Sequence, residues 1–294
     1  MNEKMKKRDI ITLTVFIFVT ITSGIFGHLL AQQLPKQPVG TLLGMGLWLI
    51  LPFLTGIVLQ YINNDLKQLG SRPNFKNNSK WYAVAFLTFP CTTLISIIAA
   101  KIGGGLAVGD IVLGTLFISM FSTFFINCIK NIFEEFAWRG CLVPYLEKTG
   151  MNDWILYFSS GLIWGIWQIT YYILFLPNEY FIKNSRLMIV VIGIILMIFW
   201  SPLFVELRRL TNSVWPCIVL HSMETAVPNM LFVTTHTLQI SKNYSILLDP
   251  IFGIIPTGLI FFIGLKLRKH RIEKEATMNV KTKETHSECE RRML

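Results

Sequence analysis

The stretch NIFEEFAWRG, Asn131 to Gly140, places two adjacent carboxylates, Glu134 and Glu135, and the guanidinium of Arg139 inside an otherwise apolar run. At membrane depth an ionised side chain costs about 2.5–3.5 kcal/mol on insertion scales, so there it marks function. In a soluble helix the same residues would be ordinary surface. For this segment alone a second reading is an interfacial amphipathic helix whose charges meet headgroups. The surrounding chain decides between these settings.

Of the 294 residues, 52% are hydrophobic and only 15% charged, with 22 Phe, 8 Trp and a mean hydropathy of +0.52. The apolar residues fall into long blocks, each able to cross a hydrocarbon core of about 30 Å. The blocks run near Ile10–Leu34, Val39–Ile62, Trp81–Ala100, Ile111–Cys128, Trp154–Leu176, Leu187–Val205, Ser213–Thr234 and Ile246–Leu265. The expectation is an all-α, polytopic membrane bundle of about eight transmembrane helices. Lys4, Lys6, Lys7 and Arg8 before the first block resemble a signal-peptide n-region. That block is too long, however, and lacks a small-residue cleavage site, so it reads as an uncleaved span.

Orientation follows from Lys and Arg outside the spans. With the N-terminus in the cytosol, only Lys36, Lys101, Lys183, Arg186 and Lys242 of the 27 basic residues fall on the far side. Lys130, Arg139 and Lys148, grouped around the fourth span, count as cytosolic in this scheme. Both termini are therefore expected in the cytosol of a cell-membrane protein. The net charge of +10 is explained by contact with anionic lipid and requires no nucleic acid. Residues 1–265 form one membrane domain, and the charged segment 266–294 reads as a solvated, disordered tail. Five cysteines without CxxC spacing argue against a disulfide framework or a thiolate metal site.

On a helix Glu135 and Arg139 are i and i+4 in the favourable order for an ion pair, while Glu134 is rotated by about 100° and stays free for other work. Few other polar residues lie deep in the spans: Gln168 in GLIWGIWQITYY, and His221, Glu224 and Thr225 in SVWPCIVLHSMETAVPN. Counted from the cytosolic ends, Glu134, Gln168 and His221 lie about 21, 22 and 14 Å deep at 1.5 Å per residue, within about one and a half turns of one another. His28 and His236 sit near the opposite face, and His270 and His286 in the charged tail.

Glu134-Glu135-x-x-x-Arg139, then Trp164-x-x-x-Gln168, then His221-x-x-x-Thr225 resemble the EExxxR, FxxxH and HxxxN motifs of the CAAX protease and bacteriocin-processing (CPBP, or Abi) family of intramembrane peptidases. The resemblance spans about Phe125 to Pro228, and LGSRP, Leu69 to Pro73, adds a weaker feature. It implies catalytic roles for Glu134, Glu135, Arg139, Gln168, His221 and Thr225. In a metal-free mechanism Glu134 would take a proton from water, the two histidine positions would donate to the oxyanion, and Thr225 or Glu224 would orient the His221 ring.

Two departures from the motifs matter, Gln168 for the first histidine and Thr225 for the asparagine. Glutamine can donate a hydrogen bond but cannot exchange protons. It is also a poor ligand for zinc, so no cofactor is expected. If a metal bound, Glu134 and His221 would be its ligands. Expected partners are membrane lipid and a peptide or protein substrate, prenylated or not, reaching the bundle from the cytosolic leaflet. A non-catalytic scaffold or bacteriocin-immunity-type protein that keeps the fold and binds a partner is the alternative. In that case Gln168 would serve as interhelical glue. A transporter fits less well, because the polar residues form one cluster rather than a path.

Overall fold

The computed structural model describes residues 7–34, 43–109, 113–176, 178, 185–235 and 237–293. Lys4, Lys6, Lys36, Lys183 and His236, named above, lie outside the described residues. The chain is an all-α polytopic membrane bundle. In order come α1 (Lys7–Gln33), α2 (Leu43–Ile62), a 3-10 turn (Leu66–Leu69), α3 (Phe75–Ile102), α4 (Leu113–Glu135), α5 (Val143–Glu147), α6 (Asp153–Thr170), α7 (Arg186–Thr211) and α8 (Trp215–Glu224). Then follow α9 (Lys242–Leu248) and α10 (Ile254–Met293). Two three-residue strands, β1 (Leu106–Val108) and β2 (Leu238–Ile240), pair antiparallel between α3 and α9.

Every expected apolar block is built largely of helix. Among the described residues five helices are long and apolar enough to cross a membrane, and one of them is the continuous run Leu113–Glu147. The other three blocks differ in form. The helices beginning at α6 and α8 each pass into a π-helical segment, Tyr171–Phe175 and Thr225–Thr234, and α10 runs on into charged residues. A third π segment, Phe136–Leu142, joins α4 to α5.

That join corrects the expected end of the fourth span at Cys128. The helix continues to Glu147, so Lys130 and Arg139 are intrahelical rather than loop charges. Removing both from the count leaves the charge bias in place. The segment from residue 266, expected to be disordered, also differs. It continues α10, because Arg268 and Arg271 find carboxylate partners at Asp153 and Glu206, 2.7–2.8 Å away. Composition alone could not reveal those partners, since they lie on α6 and α7.

α4 inverts the burial pattern of a soluble amphipathic helix. Its buried residues are Asn131, Glu134 and Glu135, whereas Phe117, Ile118, Phe121 and Ile126 are all more than 65% exposed. Only lipid suits such a surface, so the polar face must turn inward to be satisfied by protein.

Close packing at small residues fixes the neighbours. A Cβ on Gly161 would meet the Ile198 Cα at 2.5 Å, and one on Gly165 the Ile194 Cα at 2.8 Å, so the GLIWG run lets α6 lie directly on the α7 backbone. Gly27 and Gly44 bring α1 and α2 together in the same way. Trp48 stacks on Trp167 with ring centroids 3.9 Å apart, which ties α2 to α6.

α7 ends at Asn212 in the left-handed conformation, φ 49°, and α8 starts with Pro216 in its first turn. The loop carrying LGSRP is docked on this corner. Gly70 takes φ +69° against the Arg208 guanidinium. Its carbonyl accepts from Val214 N, and the Ser71 carbonyl accepts from the Trp215 indole at 2.7 Å.

Candidate active site

α4, α6 and α8 bring their polar residues to one buried cluster. Glu135 is fully buried, and Arg139 Nη1 lies 3.1 Å from both of its carboxylate oxygens. The expected i,i+4 ion pair is therefore present. The same carboxylate also holds His221, whose Nδ1 lies 2.8 Å from Glu135 Oε1. An ionised carboxylate can only accept, so Nδ1 carries the proton and Nε2 is left free. Nε2 makes no hydrogen bond to another described residue.

Aromatic rings complete this arrangement. The Arg139 guanidinium sits 4.2 Å from the ring centroids of both Trp164 and Phe204. The His221 ring meets the same two edge-on, at 5.5 and 6.0 Å. Cation–π contacts of this kind gain strength out of water. Within the π segment the carbonyl of Arg139 accepts from Arg208 Nε at 3.0 Å and that of Gly140 from Gln60 Nε2 at 2.6 Å. These two side chains satisfy carbonyls that the widened turn presents outward, and so hold Arg139 in register. π turns inside α-helices are frequent at functional sites. Here one overlaps the first motif at Arg139, one follows Gln168, and one begins at Thr225.

Glu134 is treated differently from its neighbour. It is 2% exposed, and neither of its oxygens accepts a hydrogen bond from another described residue. Its partner is the ammonium of Lys130, 3.2 Å from Oε1 and one turn earlier on α4. The Trp164 indole N–H and the His221 ring face the same carboxylate at longer range. Asn131 Nδ2 donates to Ser222 Oγ at 3.1 Å and locks α4 to α8 beside His221.

Two expected roles take another form. Thr225 Oγ1 donates to Glu224 Oε2 at 3.0 Å, and the His221 ring is held by Glu135 instead. Gln168 lies one turn beyond Trp164 on α6, half-buried, and its side chain hydrogen-bonds to no described residue. That leaves the interhelical-glue reading without a contact. Glu224 belongs to the cluster: His221, Lys130 and Glu134 are within electrostatic reach of it, and Tyr172 is within reach of both Glu224 and Glu134. Lys130, Asn131 and Phe204 were missed. The signal for Lys130 was its i,i+4 spacing to Glu134, hidden when it was counted as a loop charge.

Residues 114–227 match the family model of Rce1-like type II CAAX prenyl endopeptidases. The matched stretch begins at the start of α4, ends just past His221-x-x-x-Thr225 and contains every residue of the cluster. No curated protein matches the chain.

Proposed function

We propose, from the match of residues 114–227 to the family model of Rce1-like type II CAAX prenyl endopeptidases, that the chain is an intramembrane endopeptidase using Glu134 to activate water. One observation carries the reading. Glu135 is committed to Arg139 and His221, whereas the adjacent Glu134, equally buried, accepts from neither and has the Lys130 ammonium as its ionic partner at 3.2 Å. A buried carboxylate with a single ionic partner has acceptor capacity left over. As a general base it is suitably placed, beside the Lys130 ammonium and able to accept a proton from water.

In this mechanism a peptide carbonyl enters between α4 and α8. Water loses a proton to Glu134 while its oxygen attacks the carbonyl carbon. His221, oriented through Nδ1 by Glu135, presents Nε2 to the reacting atoms. Arg139, clamped between Trp164 and Phe204, keeps Glu135 from turning away. The substrate is a peptide, prenylated or not, entering from the cytosolic leaflet of the cell membrane, with both termini of the enzyme in the cytosol.

The donor set does not fit zinc. An ammonium 3.2 Å from Glu134 would repel a dication, and the position of a second imidazole is Gln168. Among the described residues no three His, Cys, Asp or Glu side chains are gathered for a metal. No step is therefore routed through one.

The non-catalytic scaffold remains a second reading because of Gln168, which lacks a partner in the cluster and cannot exchange protons. Purified protein in detergent, tested on a peptide library that includes farnesylated peptides, separates the two. Turnover that is abolished by Glu134→Ala and insensitive to chelators supports the peptidase. No turnover by the parent, with partner binding unaffected by Glu134→Ala, would leave the scaffold.

A further inference from the structure

Among the described residues the cluster holds three carboxylates, Glu134, Glu135 and Glu224, and two permanent cations, Lys130 and Arg139. Arg139 is paired with Glu135 and Lys130 with Glu134. Glu224 is the carboxylate left over, and it lies three residues from His221 on α8. At membrane depth a net charge is expensive, and one proton removes it. That proton has two places to sit, Glu224 with a neutral imidazole or His221 with an ionised Glu224, and both leave the site neutral.

Resting on the peptidase reading above, we propose that Glu224 and His221 together store the proton that the departing amine takes, so that Glu224 is a residue of the reaction. Gln168 stands where the family motif has an imidazole, and an amide, although it can donate a hydrogen bond, cannot exchange protons. The groups facing Glu224 are Lys130 and Glu134 from α4, Tyr172 from the segment after α6, and His221 and Thr225 from its own helix.

The step balances. Water gives one proton to Glu134 and its oxygen forms the new C–O bond. The C–N bond breaks, and the nitrogen takes the proton stored on the pair. Glu134 then returns its proton to the pair, so that one water is consumed per bond cleaved.

The test is turnover of an internally quenched farnesylated peptide by parent, Glu224→Gln, Glu224→Asp and Glu224→Gln/Gln168→His proteins, with thermal unfolding in detergent alongside. Glutamine keeps the shape of Glu224 and an acceptor for Thr225 Oγ1, so a merely structural role survives Glu224→Gln. Expected is a fall in kcat of about 10²-fold at unchanged KM and unchanged unfolding temperature, with the alkaline limb of the pH–kcat profile lost. Aspartate should retain turnover, and histidine at position 168 should restore it to Glu224→Gln. The proton store is overturned if Glu224→Gln matches the parent in kcat and pH profile, or loses only stability, while Glu134→Ala is inactive. That result would leave the peptidase reading intact. A parent without turnover would overturn both.

Discussion

Glu135 accepts from Arg139 and from His221, while Glu134, one position earlier, accepts from neither. Removing each should therefore have different consequences. Glu135→Ala strands the fully buried Arg139 guanidinium and frees His221, a loss that reaches about 3–5 kcal/mol for a buried pair. Its unfolding temperature and expression should drop. Glu134→Ala should leave unfolding nearly unchanged and abolish turnover, and equal destabilisation of both variants would show that the two carboxylates share one structural job. Gln168 makes no side-chain hydrogen bond to a described residue, so Gln168→Ala should cost little stability. If its amide reaches the oxyanion only with substrate bound, the same variant should lower kcat by about 10²–10³-fold, and Gln168→His should keep or raise it. The Glu135–Arg139 pair was legible in the sequence because both residues lie on one helix, where spacing fixes direction. The Glu135–His221 bond was not, because it depends on how α4 and α8 are rotated against each other.

At the scale of elements, the apolar blocks were legible because lipid demands a continuous apolar surface. The three π segments were not, since one widened turn leaves hydropathy unchanged. Yet each of these turns lies in or next to a motif, and the helix contacts beside them set the site. Trp164 reaches Arg139 and His221 only because Gly161 and Gly165, on either side of it in sequence, let α6 lie against Ile194 and Ile198 of α7. Gly161→Leu must push α6 off the α7 backbone, since the atoms it meets are Ile198 Cα and Met197 O rather than flexible side-chain tips. Overpacking of this kind costs about 1–3 kcal/mol. Turnover should fall with it, because Trp164 moves away from Arg139. Scanning calorimetry together with kcat checks both, and a Gly161→Leu protein with parental stability and activity would contradict this packing.

Across the whole molecule, one end of the bundle is fastened by charge. Arg209 reaches Glu147, Asp153 and Glu206 at 2.6–3.0 Å, while Arg268 and Arg271 of α10 close on Asp153 and Glu206. The basic residues near 208 and 268 were legible as markers of one membrane face, but their acidic partners were not, because these come from other helices. Burial works against the charge of Asp153. The hydrogen bonds and charges of Arg209, Arg271 and Arg268 outweigh that cost and hold its carboxyl below the usual carboxylate range. A carboxyl depressed in the folded state stabilises fully above its unfolded value, about 3.9, and that contribution is lost as pH falls through the lower folded value. The parent should therefore unfold at progressively lower temperature as pH drops below about 4. Asp153→Asn should start from a lower unfolding temperature at neutral pH and show a shallower acid dependence, since it has no such carboxyl to protonate. Because the clamp holds α10 to α6 and α7, Lys269→Cys in a cysteine-free background should label faster with a soluble maleimide on adding Asp153→Asn. An unchanged labelling rate would mean that α10 is held by its apolar contacts alone, and that the arginines at this end serve only the membrane surface.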